Sequence, residues 1–455
     1  MSVVINGDTG ISGVNGSAAT PAIKGGDADT GIHFGTDTAA ITTGGTERVS
    51  VDSSGAATFS GTVKTSKVEN ANTSNGGLEI DADGHVQLDG QQLPTQGPLS
   101  NRNLKHNGAM VVAQRRTSLT VTTNTAVYAC VDGVRPELGT QINPNYTYEQ
   151  STDAPPGFKY SFKVTNNAAS SFTPGNTAYH ILMNNIEQGT AAPLGWGTPH
   201  ARPCTVSFWV KSSLTGNDVV ELGIRRSGTS NSDCIAMQIT INTANTWEYK
   251  TVTIPATTYD TGMPADNALG FNLFFSFNGI VVGNKLTSYG VWENGTNRLG
   301  GPAGDTNVFA GTTGATFLYT GLQVEVGEKA TSFEHVPFSV DLARCQRYFQ
   351  KIQAPAANTR MAVSGNGSIS SSFPTAWLRT TMRGTPSIDF SALGDFDVEG
   401  LTGGGKSTPT AINANAGCAD SVTVAVGVSG GSTTLVGTNL LSKNANCFLS
   451  FSADL

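Results

Sequence analysis

Apolar and polar residues alternate along much of this chain, and the alternation breaks at short turn signals. In VSVDSSGAATFSG, residues 49–61, Val49 and Val51 precede a D-x-x-G turn and Ala57 and Phe59 follow it. Residues 78–90 read LEIDADGHVQLDG, with Leu78, Ile80, Val86 and Leu88 at the aligned positions. Alternation on both sides of such a turn predicts a β-hairpin. A lone hairpin is marginal in water, so its apolar face needs a partner. Neighbouring repeats could supply that cover, as could identical chains around a three-fold axis, and association with copies of itself is expected.

Longer alternating runs fill residues 109–340, among them FKYSFKVT (158–165), CTVSFWVKSS (204–213), WEYKTVTIP (247–255) and ATFLYTGLQVEVG (315–327). Val206, Phe208 and Val210 share one phase of the period. Many short antiparallel strands of this kind predict a jelly-roll β-sandwich. Residues 283–314, rich in Gly and Asn, read as one long loop. SVDLARCQRYFQK, 339–351, is the one predicted helix, with Leu342, Cys345, Tyr348 and Phe349 on one face and Ser339 as its cap. Residues 93–108, with two prolines, form a boundary. The expected organisation is a β-repeat region at 1–100, a jelly-roll domain at 101–340, a connecting helix at 341–354 and a β-rich terminal domain at 355–455. The fold class is all-β throughout.

Composition supports that reading. Gly accounts for 54 of 455 residues, and only 13% are Asp, Glu, Lys or Arg, about half the usual charged share. Few charges leave strand edges unprotected, so those edges are expected to be paired. The net charge of −7 and the absence of a basic stripe argue against nucleic acid as a partner. No apolar run approaches the ~18 residues of a membrane helix, so no membrane insertion is expected. The opening MSVVINGDTG lacks the features of a signal peptide. Cys130, Cys204, Cys234, Cys345, Cys418 and Cys447 are scattered without a C-x-x-C pair and read as free buried thiols.

Several motifs resemble those of bacteriophage tail fibre proteins. GLQVEVGEKATSFEHVPFSVDLARCQRYFQK, 321–351, is similar to a strand, turn and helix recurrent in that family, with Phe349 where Tyr is usual. TTMRGTP (380–386), the ending FLSFSADL and the unit GTERVSVDSSGAATFSG (45–61) resemble further elements of such fibres. The resemblance implies an intertwined homotrimer in the virion, assembled in the host cytoplasm. Its N-terminal end would meet phage tail or baseplate proteins, and it would bind a glycan or protein receptor on the host surface. The middle domain is similar to carbohydrate-binding modules of jelly-roll type.

No chemistry is expected. GLTGGGKS, Gly400 to Ser407, satisfies a phosphate-loop pattern, but Pro409 and poor helix formers follow, so a loop is the reading. DADGH (81–85) lacks the distant Glu of a calcium loop and reads as the hairpin turn. The six histidines show no metal-ligand spacing, and His335 reads as structural; no metal and no cofactor are expected. Asp395, Asp397 and Glu399 are close in sequence but read as a surface loop rather than a glycosidase pair. Sugars are recognised by aromatic rings against C–H faces with hydrogen-bonding groups nearby. Trp209 and Trp247 lie in strands and are expected in the core. Trp196, Tyr289, Trp292 and Asn294 lie among turn formers and are the candidate glycan-binding residues. The alternatives to a receptor-binding fibre are a purely structural fibre or adaptor and a glycan-depolymerising tail spike.

Overall fold

A computed structural model describes residues 4–6, 10–12, 15–64, 67–69, 77–80, 86–88, 91–92, 100–139, 141–172, 179–227, 232–258, 267–277, 286–294, 301, 308–366, 371–399, 406–429 and 437–455. The protein is nearly all β, and its chain divides into two compact units, Met1–Gly90 and Gln91–Leu455.

In the first unit both repeats form hairpins in the same register. Val49 pairs with Phe59 and Val51 with Ala57. At the aligned positions Leu78 pairs with Leu88 and Ile80 with Val86. Asp52 closes the first turn: its Oδ1 accepts from the backbone N–H of Ser54 at 2.9 Å and of Ala56 at 3.0 Å. Gly55 supplies the left-handed residue, with φ +82°. The second turn, 81–85, lies outside the described residues.

The first hairpin ends a five-stranded antiparallel meander of Ile23–Lys24, Gly31–Gly35, Thr38–Thr43, Thr46–Val51 and Ala57–Phe59. Its register aligns Ile23, Ile32, Ile41, Val49 and Phe59 in one row across all five strands. A second row, Phe34, Ala39, Val51 and Ala57, lies two residues along on the same face. Ile41 and Phe59 are each 50% exposed, and Ile23, Phe34 and Val51 are exposed as well.

The second unit contains the jelly roll. One sheet has the spatial order Ser118–Val121, Tyr146–Ser151, Ser161–Asn166, Thr316–Val326, Cys204–Ser212 and Glu248–Ile254. The facing sheet runs Arg135–Leu138, His180–Glu187, Leu269–Ser276, Gly216–Ser227, Ser232–Ile241 and Glu293–Asn294. Strands distant in sequence are neighbours, which is the interleaving of a jelly roll. Val206, Phe208 and Val210 point inward as their phase predicts, and with Leu222, Ile224, Phe275, Phe317 and Tyr319 they form the core. The Phe275 and Tyr319 rings stand 4.7 Å apart. The segment 283–314 is not one uninterrupted loop: Glu293–Asn294 pairs with the edge of the second sheet, and Val308–Gly311 is a short helix.

The predicted helix is shorter than its pattern. It spans Phe338–Gln346, starts after Pro337 and has no side-chain cap. Ser339 lies inside its first turn, because Pro337 with its fixed φ already sets the start. Tyr348 and Phe349 leave the helix. The Tyr348 N–H bonds the Cys345 carbonyl at 2.9 Å, and Phe349–Gln353 becomes a strand paired with Phe448–Ser452.

These residues fasten the terminal β-domain to the jelly roll. Arg347 grips the Glu187 carboxylate through two nitrogens, and the Tyr348 hydroxyl donates to it at 2.7 Å. Within the terminal domain, Gln350 donates to the Thr380 carbonyl at 2.7 Å and accepts from the Arg379 N–H at 2.8 Å. Arg383, in the TTMRGTP motif, donates across to the Asn267 carbonyl of the jelly roll at 2.7 Å and, within its own domain, to the carbonyls of Ala453 and Asp454 at 2.9 and 2.7 Å. The terminal domain has its own core, in which Val422, Val424 and Val426 alternate inward. Lys406–Ser407 is a short strand paired with Phe396–Glu399, not a helix start, and 400–405 lies outside the described residues.

Candidate functional site

The four candidate residues do not form an exposed platform. Trp196 is 4% exposed and Trp292 8%. Their rings meet edge to face at 5.3 Å, and Trp196 also packs on Phe271 at 5.2 Å. Each indole N–H is bound to its own chain, Trp196 to the Arg202 carbonyl at 2.7 Å and Trp292 to the Pro255 carbonyl at 2.8 Å. Tyr289 donates to Glu221, whose other oxygen accepts from the Gly301 N–H at 2.8 Å. Asn294 is exposed, and its amide donates to Asp233 at 2.8 Å. The tryptophans are thus anchors that pin irregular segments to the end of the sandwich. Turn formers around a large ring signal this outcome as well as a platform.

The two tryptophans expected in strands show the reverse: Trp209 lies in Cys204–Ser212, but Trp247 lies just ahead of Glu248–Ile254. Trp209 and Trp247 are half-buried and stand outside the core cluster. Trp209 is out of phase with Val206, Phe208 and Val210, so it points away from the sandwich interior. Tyr249 lies opposite it on Glu248–Ile254, with ring centres 5.4 Å apart, and is 44% exposed. On the other side Trp209 pairs with Thr320, next to a register shift and to Gly321. Gly321 has φ +62°, and a Cβ there would come 2.7 Å from the Phe158 ring and 3.3 Å from the Trp209 ring. The missing side chain therefore lets the two aromatics close over the backbone.

From Phe158 the aromatic surface continues. Its ring lies 5.0 Å from Phe333 and 5.1 Å from His335, which are 4.8 Å from each other. His335, expected to be structural, is an exposed member of this belt. Asp153 lies beside it, exposed, accepting from the Trp247 indole at 3.1 Å and from Lys211 at 2.8 Å. Burial pushes the Asp153 carboxyl up, but the bonds from Lys211 and Trp247 and the Lys211 charge outweigh it and hold the group below the usual carboxylate range.

The outward face of the second sheet is occupied by the chain itself. Arg225 donates to Asn272 at 2.9 Å, Asn272 to Asn185 at 2.6 Å, and Asn185 to the Leu455 carbonyl at 2.8 Å. Tyr289 and Gly301 cover Glu221 on the same face. These polar groups on the second sheet are engaged by the chain itself, whereas the belt on the first sheet brings aromatic rings to the surface beside the Asp153–Lys211 pair.

Other candidates are accounted for locally. Asp395 accepts from Asn444 at 2.8 Å, and Asp397 and Glu399 lie 3.2 and 3.5 Å from Lys443 and Arg360. All six cysteines are free, and each except Cys418 is buried. Among the described residues no group of three His, Cys, Asp or Glu could hold a metal ion, and no helix is long and apolar enough to cross a membrane.

No family model and no curated protein matches the chain. Solved structures that match part of the chain include the enzymatically active domain of tailspike protein 4 from bacteriophage CBA120, at 13% identity and a TM-score of 0.24, covering 50% of this chain. This chain spans only 21% of that tailspike structure. A family 11 carbohydrate-binding module from Clostridium thermocellum, solved with a mixed-linked tetrasaccharide, matches at 9% identity and a TM-score of 0.22, over 48% of this chain and 99% of the module. A triple jelly-roll protein of an archaeal virus matches at 12% identity and a TM-score of 0.17, over 84% of this chain and 91% of that one. These scores are low, and the jelly-roll assignment rests on the sheet order and core described above.

Proposed function

We propose that this protein is a virion fibre that binds a glycan on the host cell surface without altering it. The observation that carries the reading is the outward Trp209–Tyr249 pair, continued by Phe158, Phe333 and His335, with Asp153, Lys211 and the Trp247 indole beside it. Pyranose rings present flat C–H faces edged by hydroxyls. Aromatic faces stack on the former, and a carboxylate and an ammonium bond the latter.

The first unit supplies the assembly half of the proposal. Its row of Ile23, Ile32, Ile41, Val49 and Phe59 carries no charge, and burying one such side chain fully is worth about 1.5–3 kcal/mol. Copies of the same sheet, three to a fibre, would cover these rows, with the N-terminal end toward the tail. The motifs shared with phage tail fibres support the same arrangement. The test is a glycan array with the intact protein: binding to at least one surface polysaccharide is expected, lost in Trp209→Ala and kept in Trp209→Phe. Binding that survives Trp209→Ala and Tyr249→Ala together would refute the site.

A further inference from the structure

The aromatic belt runs into a cavity of about 480 Å³ on the SFEHVPF segment. Its walls include Val111, Tyr160, Phe333, Val336 and Phe338, with His335 among them. Phe333 and His335 therefore belong to both belt and cavity. The volume lies within the roughly 300–1,000 Å³ range of small-molecule sites. Phe338, in the first turn of the helix, is 57% exposed, an apolar ring left against solvent beside an opening. Polar groups gather on the other walls: the Asp341 carboxylate, whose Oδ1 accepts from the Asn107 N–H at 3.0 Å, the Lys159 ammonium, 5.1 Å from the centre of the Tyr160 ring, the Tyr160 hydroxyl and the His335 ring.

Resting on the glycan reading of the belt, we infer that this cavity seats a sugar unit carrying a methyl group, either a 6-deoxyhexose or an acetylated sugar. A plain hexose is edged with hydroxyls, and each one buried against Val111, Val336 and Phe338 would lose water without gaining a partner. A methyl group in the same place loses nothing and gains burial. The continuity of Phe333 and His335 with the belt puts this unit at the end of the bound chain or on its branch.

The experiment measures binding of the full protein to immobilised oligosaccharides of defined terminal residue, in two arms. One arm compares rhamnose- and fucose-terminated chains with parent hexoses; the other compares N-acetylated with unsubstituted sugars. A preference of about tenfold for the methyl-bearing member is expected in at least one arm, and the responding arm identifies the source of the methyl group. Phe338→Ala abolishes the preference while the weaker, Trp209-dependent binding of the parent sugar remains, and Phe338→Leu restores it. Trp209-dependent binding with no methyl preference, or a preference that survives Phe338→Ala, overturns the cavity inference and leaves the belt standing. Glycan binding indifferent to Trp209, or none at all, overturns both. A lower assembly mass in Phe338→Ala would show that a second copy fills the cavity, and would equally refute it.

Discussion

The N-terminal meander and the first sheet of the jelly roll both turn apolar side chains outward, but the side chains differ in kind. In the meander they are mainly aliphatic, aligned strand to strand as Ile23, Ile32, Ile41 and Val49, and end in Phe59. On the jelly roll they are aromatic, interleaved with Asp153 and Lys211. An aliphatic row offers nothing to a hydroxyl and is satisfied only by another apolar surface. An aromatic belt with charges at its margin can be covered by a ligand that is itself half polar. On the proposed reading, a sister chain would cover the first face and a sugar the second.

The largest effect should come from placing charge in the aliphatic row. Ile41→Asp with Phe59→Asp is expected to convert a trimer at micromolar concentration into monomers, seen as a threefold fall in mass by sedimentation. Glycan binding per chain would survive, because the belt is built entirely within the second unit. A wild-type protein that sediments as a folded monomer would remove the distinction between the two faces.

The next largest concerns the tryptophans. Trp196→Ala removes a buried ring packed on Phe271 and Trp292, and should destabilise the jelly roll by about 3–5 kcal/mol, measured by denaturant unfolding. That is a large share of the ~5–15 kcal/mol of a typical fold. Trp209→Ala should cost far less stability and at least tenfold in glycan affinity. Reversed outcomes would mean that burial has misassigned anchor and platform.

The hairpin register and the sandwich strands were legible in the sequence because both depend on period-two alternation near turn residues. Trp209 was expected in the core because it lies in a strand, but its position in CTVSFWVKSS, out of phase with Val206 and Phe208, aims it outward. Trp196 and Trp292 could not be placed from sequence, since their burial depends on which sheet end their segments fold against. The belt itself joins residues 158, 209, 249, 321, 333 and 335, which come together only through the strand order. The helix was overextended because Cys345, Tyr348 and Phe349 share a helical face, yet Phe349 is claimed by the strand Phe448–Ser452.

Acid should also separate the two regions. His180 is buried in the jelly-roll core, with a ring nitrogen 3.0 Å from the Tyr148 hydroxyl, and burial lowers its pKa from 6.5 to about 3. The unfolded chain takes up a proton near 6.5 that the folded one refuses until about 3. Stability contributed by neutral His180 is therefore whole above that window and declines as pH falls through it. Melting of the second unit between pH 6 and 4 should show this slope, flattened in His180→Gln.

The smallest effect belongs to Asp52, in the turn of the repeated hairpin. Bonds from the Ser54 hydroxyl and from the Ala56 and Ser54 backbone hold its carboxyl below the usual carboxylate range. Its contribution is present above that range and disappears as pH falls through the lowered value, opposite in origin to His180, where a neutral group is kept neutral. Asp52→Ala should speed amide hydrogen exchange at Ser54 and Ala56 without changing the assembly mass, because the aliphatic row rather than the turn would hold the copies together. If the mass falls in Asp52→Ala, the turn geometry is what positions Val49 and Phe59 for their partners, and assembly depends on the hairpin's shape as much as on its apolar face.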